Sequence, residues 1–132
     1  MPTVITDSHC HLDFPDFDEE RADVIARAQE AGVHRMVSIC TRLRQADQVR
    51  AIADSYAPVF WAAGTHPMSA AEEPMATVDE LVALSAHPKF VGIGETSTAR
   101  HAVATSWISF AALNTSVALP CSVTATNLYS SL

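Results

Sequence analysis

Two rhythms of apolar and polar positions alternate along the first 96 residues. Short apolar runs of strand character begin with Val4-Ile5-Thr6 and extend through His9. Similar runs recur at residues 35–40 (Arg-Met-Val-Ser-Ile-Cys), 59–63 (Val-Phe-Trp-Ala-Ala) and 90–94 (Phe-Val-Gly-Ile-Gly). Between them lie stretches with helical spacing. In residues 19–31, Val24, Ala28 and Ala31 form a stripe beside Ile25, with Asp16 or Asp18 as the expected cap and Gly32 suited to the left-handed stop. In residues 42–55, Ala46, Val49 and Ala53 share a face and Thr41 is the expected cap. After a polar, Pro-containing stretch over residues 65–76, Thr77 and Glu80 have capping-box spacing. Val78, Leu81 and Val82 supply the expected apolar face of that helix, and Pro88 ends it.

The order βα βα βα β predicts parallel strands with helices packed outside and right-handed crossovers. Parallel α/β proteins build their sites at the C-terminal ends of strands. Here those ends carry His9 and His11, then Cys40-Thr41, then Gly64-Thr65-His66-Pro67, then Glu95. Four strand ends converging on one rim say more than any one motif.

Strand alternation puts His9 and His11 on one face, where two imidazoles can grip one divalent cation. The same alternation puts Asp7 on that face, in a position to orient a ligand or to act directly. Glu95 follows Gly92-Ile93-Gly94, small residues that permit close approach. A carboxylate there suits one cation, or a bridge between two. His66 either contacts a substrate phosphate or caps a turn. Cys10 faces away from its histidine neighbours and reads as core, while Phe60 and Trp61 are expected to pack in the core or the barrel interior.

Charge changes the picture in one respect. The chain has 132 residues and a net charge of −7, which argues against a broad basic nucleic-acid footprint. All 15 acidic residues lie at or before Glu95, and of the 8 basic residues only Arg100 lies beyond it. Residues 97–132 are rich in Ser, Thr and Ala and lose the β/α rhythm. This predicts two regions, residues 1–96 with regular α/β organisation and residues 97–132 as an atypical tail of frameshift-like composition. Three cysteines, Cys10, Cys40 and Cys121, make no disulfide framework and fit a reducing compartment. No basic leader and no apolar run of about 20 residues is visible, so a cytoplasmic protein without membrane association is expected.

Asp7-Ser8-His9-Cys10-His11-Leu12-Asp13, Gly64-Thr65-His66-Pro67 and Gly92-Ile93-Gly94-Glu95-Thr96 together resemble the TatD-type metal-dependent deoxyribonucleases, over about residues 3–96. The resemblance implies a TIM-type (β/α)8 barrel of the amidohydrolase-like superfamily, of which this sequence carries the first four strands. It implies a hydrolase that cleaves phosphodiester bonds in DNA through metal-activated water. His9 and His11 match the family's first-metal histidines, and Glu95 its bridging, catalytic glutamate. Two divalent cations are implied for the complete enzyme; N and O ligands admit Zn, Mg, Mn, Co or Ni. The family draws two further histidines and an aspartate from later strands. Beyond Glu95 this sequence has only His101 and no aspartate.

A half barrel has two open edges, which predicts marginal stability, self-association and weak or no nuclease activity for these residues alone. The competing readings are another amidohydrolase-like or PHP-type metal hydrolase, and a non-catalytic fragment.

Overall fold

A computed structural model describes residues 4–94. Its strands are β1 (Ile5–Cys10), β2 (Val33–Cys40), β3 (Val59–Ala63) and β4 (Phe90–Ile93). Its helices are α1 (Arg21–Glu30), α2 (Ala46–Ser55) and α3 (Val78–Ser85). The strands form one sheet in the order β1-β2-β3-β4, with every neighbouring pair parallel. The expected alternation is therefore present. The expectation of an atypical tail over residues 97–132 lies outside the described residues, as does Glu95.

One core forms between the sheet and its helices. Met36 and Cys40 of β2 and Val59, Trp61 and Ala63 of β3 meet Ile25 of α1 and Val49, Ile52 and Ala53 of α2. The i, i+2 spacing of the strand residues and the i, i+3, i+4 spacing of the α2 residues are the periods that place each set on one face. Trp61 is fully buried, and its indole N–H donates to His87 Nδ1 at 3.0 Å. Phe60 and Cys10 are only partly buried.

Gly32 has φ 95°, the left-handed conformation expected beyond α1, and its carbonyl accepts from Ile5 N–H at 3.1 Å. The capping box before α3 is complete. Thr77 N–H donates to Glu80 Oε2 at 2.7 Å, and Glu80 N–H donates to Thr77 Oγ1 at 3.2 Å.

Three local expectations are corrected. Neither Asp16 nor Asp18 caps α1: Pro15–Phe17 turn as a short 3-10 segment, Asp18 pairs with Arg21, and Glu20 holds the cap position without a side-chain bond. Thr41 does not cap α2, because a second 3-10 turn, Leu43–Gln45, intervenes and Gln45 becomes the cap residue. On α3, Val78 and Val82 are 75% and 62% exposed; Leu84, one turn from Leu81, packs on the core instead. The apolar stripe of α3 thus runs along 81 and 84, a single i, i+3 step.

β1 also departs from simple alternation. Asp7 pairs with Met36 and Cys10 with Ser38, so one extra residue of β1 fits between two rungs of β2. Such a bulge bends the strand and re-aims side chains. It interrupts the alternation that put Asp7 on the face of His9. Asp7 Oδ1 accepts from the backbone N–H of His9 at 3.0 Å, so this carboxylate holds the bulge rather than an imidazole.

Candidate metal centre

Parallel strands put all their C-terminal ends on one rim. The loops there are tied together by backbone bonds: His66 N–H to Thr41 O at 2.8 Å, and Gly94 N–H to Ala63 O at 3.1 Å. Leu12 N–H donates to the fully buried Ser38 Oγ at 3.1 Å, which anchors the chain as it leaves β1.

His9 and His11 meet on this rim. Their Nε2 atoms lie 3.3 Å apart and the rings stand edge-on at 81°. His11 Nδ1 lies 3.1 Å from the carbonyl oxygen of Ile39. A carbonyl only accepts, so Nδ1 carries the proton, and the Nε2 of neutral His11 presents a lone pair. Phe14 stacks on His11 with ring centroids 4.9 Å apart and fixes the ring plane from the other side. This is the arrangement in which a backbone acceptor sets the tautomer of a ligating imidazole.

The pair fits a divalent cation. Two nitrogens each about 2.0–2.1 Å from one tetrahedral cation stand roughly 3.3–3.4 Å apart. The observed 3.3 Å matches that bite. Among the described residues, no group of three or more His, Cys, Asp or Glu side chains completes a ligand set.

His66 sits at the end of the loop after β3. Its Nδ1 accepts from Met68 N–H at 3.1 Å and so caps the short turn Pro67–Ser69. The neutral ring then carries its proton on Nε2.

Several rim residues were not singled out for chemistry in the sequence. Asp13 is 7% exposed, and its Oδ1 has no hydrogen-bond partner among the described residues. Burial raises its carboxyl above the ordinary value, while its own backbone and the His11 and Arg21 charges oppose that rise. Cys10 donates to Val37 O, and its thiol is pushed up to about 12 by burial and then by the Asp7 and Asp13 charges. A thiol that stays protonated makes a poor metal ligand, so Cys10 does not compete with its neighbours. Arg42 and Arg44, just past β2, both face Glu73, whose side chain is 4% exposed. The signal for Asp13 lay in the motif itself; that for Glu73 lay only in a tertiary contact.

Comparison with known proteins identifies the family. A family model described as TatD related DNase matches residues 6–103. The chain belongs to the TatD related DNase family. It is 37% identical over 79 residues to the 3'-5' ssDNA/RNA exonuclease TatD of Shigella flexneri, covering 60% of this chain and 30% of that protein. It is 34% identical over 91 residues to the metal-dependent hydrolase YjjV of Escherichia coli, covering 67% of this chain and 35% of the relative. The crystal structure of that TatD homologue superposes with a TM-score of 0.63 at 32% identity, over 72% of this chain and 38% of the other. This TatD-family chain therefore spans about a third of the length of these relatives, and its four-stranded parallel sheet corresponds to a half barrel of the TIM type. Among its described residues, no helix is long and apolar enough to cross a membrane.

Proposed function

We propose that this chain carries the first side of the metal centre of a TatD-type hydrolase acting on phosphodiester bonds of DNA. The observation that supports it most is the His9–His11 pair, with Nε2 atoms 3.3 Å apart and the His11 tautomer set by Ile39 O. His9 and His11 are assigned as ligands of one cation. Glu95, two residues past the end of β4 in sequence, is assigned as the catalytic carboxylate that would be shared between two cations. Bound divalent cations supply Lewis acidity and a nucleophilic water at neutral pH.

The residues of the chain do the rest. Ile39 O holds the Nδ1 proton of His11, and Phe14 keeps the ring in plane. His66 is assigned to substrate binding. With Nδ1 engaged by Met68 N–H, its contact with a phosphate oxygen goes through Nε2–H as donor. The names of the relatives support single-stranded DNA or RNA as the substrate class.

The test is calorimetric titration of the purified chain with Zn, Mn, Co, Ni and Mg, followed by a substrate panel of single-stranded DNA, phosphomonoesters and cyclic amides. Binding of a divalent cation that His9→Ala and His11→Ala both remove is expected, with hydrolysis, where detectable, confined to DNA. A chain that binds none of these cations would overturn the proposal. Preferential turnover of phosphomonoesters or cyclic amides would transfer the chain to another branch of metal hydrolases.

A further inference from the structure

The rim carries a second cluster, distinct from the histidine pair. Arg42 and Arg44 lie between the end of β2 and the start of α2. Glu72 and Glu73 lie in the loop that follows β3. Arg42 places one terminal nitrogen 3.2 Å from Glu72 Oε2 and the other 3.7 Å from Glu73 Oε1. Arg44 reaches Glu73 Oε2 through Nε at 3.4 Å, an ion pair without hydrogen-bond alignment. The side chain of Glu73 is 4% exposed, whereas the two arginine side chains are 42% and 63% exposed.

A buried carboxylate shared by two exposed guanidiniums is costly unless the cations stay close, so Glu73 pins both arginines to the rim. The Arg44 side chain is 63% exposed, and a guanidinium presents a planar fork of donors that matches a phosphate. The backbone at Arg42 is held as well: Cys40 Sγ donates to its carbonyl at 2.9 Å. In a chain of net charge −7, contact with a polyanion must be concentrated in a few placed cations.

We infer that Arg42 and Arg44 form a phosphate-binding station for the backbone of a single-stranded nucleic acid, with Glu73 as its positioning residue. This rests on the hydrolase reading above and adds the track along which the strand approaches. Phosphate contacts of this kind fix register without reading sequence.

The experiment measures binding of fluorescein-labelled oligothymidylate to the full chain by anisotropy, in EDTA, across about 50 to 200 mM salt. Arg44→Ala is expected to weaken binding by roughly tenfold, the scale of one charge-assisted hydrogen bond. Each arginine removed should flatten the log–log salt dependence by about 0.7, the value for one phosphate contact on a single strand. Arg50→Ala, which deletes the same charge on α2 away from the rim, serves as control. Equal losses in Arg44→Ala and Arg50→Ala, an unchanged salt slope, or no binding by the wild-type chain at the lowest salt would each overturn the inference. His9→Ala separates the two readings: it should abolish cation binding and leave anisotropy in EDTA unchanged. Loss of strand binding in His9→Ala as well would place the station at the histidine pair instead.

Discussion

His11 donates its Nδ1 proton to the carbonyl of Ile39, one strand away, at 3.1 Å. That bond leaves a lone pair on His11 Nε2, which lies 3.3 Å from His9 Nε2. The pair is thus organised before any cation arrives, and binding should stabilise the fold. A ligand at about a hundred times its dissociation constant adds about 2.7 kcal/mol. In a domain of this size, that raises Tm by several degrees. Differential scanning fluorimetry with and without divalent cation should show the rise, and neither His9→Ala nor His11→Ala should retain it. An undiminished rise in either variant would rule out the paired-histidine site.

Phe14 makes a separable contribution, because its side chain stacks on His11 while its backbone N–H donates to His11 O at 3.4 Å, a bond that a side-chain substitution leaves in place. Phe14→Ala removes the stack and keeps both imidazoles. Loss of a neighbour that orients a ligand typically weakens metal affinity by about 10–100-fold. Calorimetry should find weaker binding with the same number of cations bound. Unaltered affinity would mean that the Ile39 carbonyl alone fixes the ring.

Thr77 and Glu80 close both arms of the box that starts α3. Hydrogen bonds from Thr77 hold the Glu80 carboxyl below its ordinary value. A carboxyl depressed in the folded state stabilises above its unfolded value of 4.5, and that contribution fades as pH falls through the folded value. Thr77→Ala should cost about 1 kcal/mol near neutrality, read from the urea midpoint. The difference from wild type should shrink in acid.

The legible parts of the fold were those decided locally. Strand β3, Gly32 and the Thr77–Glu80 box follow from a short apolar run, a left-handed stop and a reciprocal cap, each contained within a few residues. The starts of α1 and α2 were misread because an extra 3-10 turn is set by what the loop meets: Asp18 is taken by Arg21, and the Thr41 carbonyl by His66. The histidine pair could be read from i, i+2 spacing even though the bulge of β1 lies between Asp7 and Cys10 and takes in His9. The same bulge hid the role of Asp7, since register depends on β2 and is invisible in β1 alone. Likewise, Glu73 becomes notable only when the β3 loop meets Arg42 and Arg44.

The two apolar readings of helix faces can be compared directly. Val49 of α2 is fully buried, whereas Val82 of α3 is 62% exposed. Val49→Ala should cost roughly 1–3 kcal/mol, from lost transfer energy and the cavity left behind. Val82→Ala should fall within about 0.5 kcal/mol of wild type. Urea midpoints of the two variants decide it; a comparable loss at Val82 would mean that this face of α3 is covered in solution.

Cys40 is fully buried, and its thiol is pushed up from 9.0 to about 11. Burial is the main cause; the Asp13 and Glu73 charges add to it, and hydrogen bonds with the Arg42 and Gly64 backbone oppose it. Two consequences follow from the sign of that shift. At pH 8 the folded chain keeps Cys40 as the unreactive thiol, so iodoacetamide mapping by mass spectrometry should leave it unmodified until denaturant is added. Because the folded value lies above the unfolded one, the stabilisation is complete below about pH 9 and is lost as pH rises towards 11. Cys40→Ser should respond differently. It keeps a hydroxyl that can donate to Arg42 O but has no thiolate to form, so its urea midpoint should fall less between pH 8 and pH 10.5 than that of wild type. Parallel alkaline losses in the two proteins would assign the instability to other groups.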